Sequence, residues 1–172
     1  MKKFLLTILL IILAFMLVIN IIPINKIPGE NKLINEEDHP IVIAHRGGKD
    51  LWPENTIPAF DSAMAMGADM LEMDVVLTKD SIPVVIHDDS IDRVSDGKGK
   101  VRDFYLKELL KFDFSHRFKN YKNQNPYDDT TIAIPTLEEV LRRYRGVPKS
   151  IEIKDTGQYG RIAARRIKDF HD

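Results

Sequence analysis

From residue 41 onward, apolar runs of two different periods alternate along the chain. The stretch IVIA, residues 41–44, is continuously apolar and rich in β-branched side chains, which reads as a short buried strand. TIPAFDSAMAMG, residues 56–67, changes period: Ile57, Phe60, Met64 and Gly67 fall on one helical stripe. Thr56 can cap that helix, Pro58 sits in its first turn and Gly67 can end it. DMLEMDVVLT (69–78) and IPVVIHDD (82–89) read as two more strands. YLKELLKF (105–112) and TLEEVLRRY (136–144) return to the helical period, with Thr136 and Glu139 at capping-box spacing. SIEIKD (150–155) is a fourth strand and GRIAARRIKDF (160–170) a final helix, while the polar stretch 115–131 reads as a surface loop. Strands alternating with helices imply an α/β fold with a largely parallel sheet, whose chemistry gathers at the carboxyl ends of the strands.

Upstream the pattern is different. Lys2 and Lys3 precede an apolar run, residues 4–22, whose only polar members are Thr7 and Asn20. At 1.5 Å per residue this run spans roughly 28 Å, close to the ~30 Å of a bilayer core. No small-residue cleavage site follows it, so it is expected to be an uncleaved signal anchor spanning the membrane once. The paired lysines place its N-terminus in the cytoplasm and the rest of the chain outside. Residues 23–40 form a polar linker, and residues 41–172 remain for one modest domain. A formal net charge of −1 gives no electrostatic case for nucleic acid. The absence of cysteine excludes disulfides, thiolate metal sites and cysteine nucleophiles.

The candidate chemistry lies late on the strands. The first ends in His45 and Arg46, followed by Gly47 and Gly48. The second carries Glu72 and Asp74 on one face, with Leu71, Met73 and Val75 on the other. The third ends in His87 and Asp88, and the fourth carries Glu152 and Lys154 on one face. If the four are parallel neighbours, these groups converge on one rim. Three carboxylates held close together call for a cation, and an all-oxygen set suits Ca²⁺ or Mg²⁺ better than zinc. The glycines let the backbone approach an anion, and the Arg46 fork suits phosphate oxygens. Asp61, Arg93, Asp96 and Asp103 read as turn, cap or surface residues, and His39, His116 and His171 receive no role.

HRG, PENT, EMDV, PVVIHD, DGKGKV, TLEEVL and IEIK stand in an order and spacing that resembles the glycerophosphodiester phosphodiesterase family, over residues 41–155. The resemblance implies a TIM barrel with an excursion after the third strand. It also implies a metal held by Glu72, Asp74 and Glu152, an acid–base pair of His45 and His87, and phosphate held by Arg46 and Lys154. Glu54 and Asn55 match the family's EN pair and are expected to line the site. The implied reaction is metal-dependent hydrolysis of a glycerophosphodiester, or of a lipid headgroup of that kind, through a cyclic phosphate to sn-glycerol 3-phosphate and an alcohol. Alternatives are a phosphatidylinositol-specific phospholipase C-like enzyme and a non-catalytic, membrane-tethered half-barrel that binds headgroups. About four of the eight strands are expected, which suggests a piece of a longer barrel. At this length the chain is expected to be poorly folded or self-associating, with little activity.

Overall fold

The computed structural model describes residues 40–170. The expected anchor and most of the linker lie outside them. Among the described residues no helix is long and apolar enough to cross a membrane.

Four strands form one sheet: β1 (Ile43–Ala44), β2 (Met70–Leu77), β3 (Pro83–Val85) and β4 (Lys149–Ile153). Among the described residues the α-helices are α1 (Ile57–Ala65), α2 (Leu106–Leu109), α3 (Leu137–Arg143) and α4 (Gly157–Asp169). β2 is the central strand. It runs parallel to β1 through Met70 and Leu71, and parallel to β4 from Leu71 to Val75.

β3 corrects the sequence reading. It pairs antiparallel with the end of β2, Val75 opposite Val85 and Leu77 opposite Pro83. The reason is the length of the connection: a parallel return needs a crossover of about a dozen residues or more, and residues 78–82 permit only a hairpin. Ile86 N–H donates to the Asp74 carbonyl and Lys154 N–H to that of Val75. Successive carbonyls point to opposite edges, so β3 and β4 flank β2 on different sides. The sheet therefore has three parallel strands and one hairpin strand, rather than four parallel neighbours.

The alternation along β2 separates two layers. Leu71, Met73 and Val75 are fully buried and pack with Phe60 and Ala63 of α1 and Leu137 and Val140 of α3. The opposite face carries Glu72 and Asp74, then Val76, which joins Val84, Ile86, Ile91, Val101, Leu109, Phe114 and Ile134 in a second core. That second core joins β2 and β3 to the excursion between β3 and α3. The caps expected from the sequence form: Thr56 Oγ1 accepts from Ala59 N–H at 3.3 Å, and Thr136 Oγ1 from Glu139 N–H at 3.1 Å. Asp61 ties the two covering helices together, accepting from Arg143 and from the Tyr144 hydroxyl.

Candidate active site

The turn after β1 sets the first part of the site. Arg46, Gly47 and Gly48 have φ values of 52°, 76° and 91°, three left-handed residues in a row. This wraps the chain so that Arg46 N–H donates to Glu72 Oε2 at 2.7 Å, while its carbonyl accepts from Asn55 N–H at 2.9 Å. Asn55 is itself left-handed, at φ 58°, and buried. Its amide grips Asp74 twice: Nδ2 donates to Oδ2 at 3.0 Å, and Oδ1 accepts from the Asp74 N–H at 3.3 Å. Strain of this kind persists where the surroundings over-determine it. Asn55 completes the edge of β2 where β1 has ended and β3 has only begun.

One oxygen from each of Glu72, Asp74 and Glu152 lies within 4.8 Å of the other two. Asp74 is buried, Glu72 partly buried and Glu152 exposed. Lys154 Nζ bridges Asp74 Oδ1 at 3.1 Å and Glu152 Oε1 at 2.8 Å. Burial opposes its charge, but the bonds to Glu152 and Asp74 outweigh that and raise its pKa. Arg46 Nε lies 3.2 Å from Asp74 Oδ2 without hydrogen-bond alignment, while its Nη1 donates to Glu54 Oε1 at 3.1 Å. Two cations thus offset part of the acidic charge. The donor set fits a hard divalent cation, because Glu72 Oε1 has no partner among the described residues and every candidate ligand atom is a carboxylate oxygen.

Both histidines stand one residue from backbone that holds this cluster. His45 precedes Arg46, whose amide holds Glu72, and is exposed. His87 follows Ile86, whose amide holds the Asp74 carbonyl, and is partly buried. His87 Nδ1 is 2.6 Å from Asp88 Oδ1. Arg93 then joins Asp88 to Glu54: its Nε donates to Asp88 Oδ2 at 2.7 Å, and Nη1 and Nη2 donate to Glu54 at 2.9 and 2.8 Å. Burial works against ionisation of Glu54 and Asp88, yet the arginine contacts prevail and hold both carboxyls below the usual range. Sequence reasoning missed Arg93, which it treated as a surface residue. No local signal marks it: Asp88 is only five residues upstream, but Glu54, which takes the other two bonds, lies 39 residues away on the turn after β1. Beside this network an open cleft of about 300 Å³ is lined by Lys49, Trp52, Glu54, Arg93, Arg117 and Phe118.

Fold and site together define part of a TIM-type barrel with a carboxylate cluster on the rim of its parallel strands. The family model described as "Glycerophosphoryl diester phosphodiesterase family" matches residues 45–168, and the chain belongs to that family. It is 48% identical over 102 residues to a glycerophosphodiester phosphodiesterase of Caldanaerobacter subterraneus, covering 59% of this chain and 39% of the relative. A crystal structure of a glycerophosphoryl diester phosphodiesterase from Parabacteroides distasonis superposes with a TM-score of 0.65 at 34% identity, over 80% of this chain and 46% of that one. An Oleispira antarctica phosphodiesterase, solved with the product sn-glycerol-3-phosphate, matches with a TM-score of 0.56 at 36% identity, over 67% of this chain and 44% of that one. The chain spans less than half the length of each of these proteins.

Proposed function

We propose that this chain carries the metal and acid–base residues of a glycerophosphodiester phosphodiesterase, cleaving its substrate to sn-glycerol 3-phosphate and an alcohol. The observation that carries the reading is the approach of Glu72, Asp74 and Glu152 within 4.8 Å, flanked by Arg46 and Lys154. The product bound to the Oleispira relative agrees with it.

The three carboxylates would hold Mg²⁺ or Ca²⁺, which when bound offsets negative charge on the phosphate oxygens. Arg46 and Lys154 donate to the same oxygens and help stabilise the charge that builds as the bond to phosphorus forms. One histidine takes the proton from the glycerol 2-hydroxyl as that oxygen attacks phosphorus. The other gives a proton to the alcohol oxygen as its bond to phosphorus breaks. In the second half the roles reverse: water loses its proton, attacks the cyclic phosphate, and the 2-oxygen leaves with a proton. Asn55 keeps Asp74 in place, and Glu54 keeps the Arg46 head oriented.

The test is a paired measurement on the full chain. Adding millimolar Ca²⁺ or Mg²⁺ should raise the thermal midpoint, and glycerophosphocholine or glycerophosphoglycerol should be hydrolysed, slowly for a chain that spans less than half of its relatives, only with the ion present. Glu72→Gln and Asp74→Asn should lose both responses, whereas His45→Ala should keep the ion response and lose turnover by roughly 100-fold or more. Ion binding without turnover by the unmodified chain would replace the hydrolase reading with a headgroup-binding one. A missing ion response would remove the metal site altogether.

A further inference from the structure

Arg93 stands at the centre of a chain of contacts that no local motif announces. Its guanidinium makes a hydrogen bond to Asp88 through Nε and two to Glu54 through Nη1 and Nη2. Asp88 uses its other oxygen, Oδ1, on His87 Nδ1 at 2.6 Å. Glu54 also accepts from Arg46. A single side chain therefore joins the turn after β1 to the end of β3, linking Arg46 to His87 through two carboxylates.

The backbone beneath Arg93 is fixed. Ile91 and Ser95 on either side are fully buried. Ser95 Oγ donates to the Ile91 carbonyl at 2.8 Å and accepts from Gly97 N–H at 3.1 Å, closing a tight loop. Ile91 N–H in turn bonds to the Gly99 carbonyl. A long, half-exposed arginine on such a base loses less freedom when it forms its bonds than one on a mobile loop. Isolated surface ion pairs contribute little, but a planar fork fixed on two carboxylates is a geometric device.

We propose that Arg93 is a positioning residue of the acid–base site: by clamping Asp88 against Glu54 it holds His87 in the tautomer that carries its proton on Nδ1. An ionised carboxylate only accepts, so the Asp88 contact keeps Nδ1 protonated and leaves Nε2 of neutral His87 free to take a proton. Without Arg93, Asp88 is free to rotate toward solvent, and the ring loses both its orientation and its tautomer. The inference rests on the reading of His87 as an acid–base group.

The experiment separates the two. In the ¹⁵N-labelled chain, the His87 ring signals, assigned by their loss in His87→Gln, should show Nδ1–H and an unprotonated Nε2 in the neutral state. Arg93→Ala should shift them toward a mixture of tautomers and lower kcat by roughly 100-fold, the scale of a misplacement of about 1 Å, with KM little changed. Added guanidinium ion should restore part of both, since the cleft beside Arg93 is open to it. Asp88→Asn should lose the tautomer preference without guanidinium rescue, and it decides the question if Arg93→Ala does not fold. A His87 signal unchanged by both substitutions overturns the proposal. If the unmodified chain hydrolyses no glycerophosphodiester, the functional reading fails, yet the ring signals still show whether the clamp exists.

Discussion

Gly47 has two reasons to be glycine. Its φ of 76° is left-handed, and an added Cβ would stand 2.8 Å from Phe60 Cδ1 and 3.1 Å from the Ala59 Cβ. Phe60 is fully buried under the helical layer, so it cannot swing aside. From the sequence, Gly47 and Gly48 were expected to let the backbone approach an anion; packing against α1 is an independent demand that the sequence did not show. Gly47→Ala should cost about 2 to 4 kcal/mol, from left-handed strain together with overpacking, measured as a lower urea midpoint with unchanged slope. A loss below about 0.5 kcal/mol would mean that α1 moves freely against the turn. The same turn made Arg46 and Asn55 legible only in part. Their proximity to the site could be expected, but not that the Arg46 amide holds Glu72 or that Asn55 grips Asp74 from both ends.

Among the elements, β2 was the most legible. Its two-residue period put Leu71, Met73 and Val75 under the helices and turned Glu72 and Asp74 to the other face. β3 was the least legible, because its apolar run says nothing of direction; the short connector does. A further junction appears where β4 has ended. Asp155 Oδ2 accepts from the last amide of β2, Leu77 N–H, at 2.7 Å, and Oδ1 accepts from Arg102 Nη2 at 2.7 Å. One buried carboxylate thus fastens β2, the end of β4 and the excursion together. Asp155→Ala would leave the Leu77 amide without a partner in a dry position, and should lower stability by roughly 2 to 3 kcal/mol in chemical denaturation. An unchanged unfolding midpoint would show that the junction is redundant.

Across the whole molecule, the acidic groups tie segments that are far apart in sequence, and this gives stability a pH dependence. Glu54, Asp61, Asp80, Asp88 and Asp113 all have pKa values below the ordinary range; for each except Asp61 burial is the largest influence and opposes the shift, while bonds to arginines, hydroxyls and amides outweigh it. For Asp61 the Arg143 bond is the leading cause. A depressed pKa means that the unfolded chain binds protons more readily than the folded one. The stabilisation is therefore complete above the unfolded value, roughly pH 4, and is lost as pH falls through the folded values. Glu54, the most enclosed of the set, should dominate, since exposed pairs are screened. Urea midpoints measured with a chelator present should be level from pH 7 to 5 and fall steeply from about pH 4 downward. A midpoint that stays level to pH 3 would contradict the network.

The sequence alone determined what depends on neighbours along the chain: the alternating periods, the Thr56 and Thr136 caps, and the face of β2 that bears carboxylates. It also carried the family, because the spaced motifs survive as a linear pattern. The tertiary structure alone decided which distant segments meet. Glu152 comes within reach of Asp74 only because β4 lies in register with β2. Arg93 finds Glu54 only because the excursion folds back over the turn after β1. Local periodicity encodes which way a side chain faces; contact between residues so far apart along the chain is fixed by the packing of whole elements, which no single stretch of sequence contains.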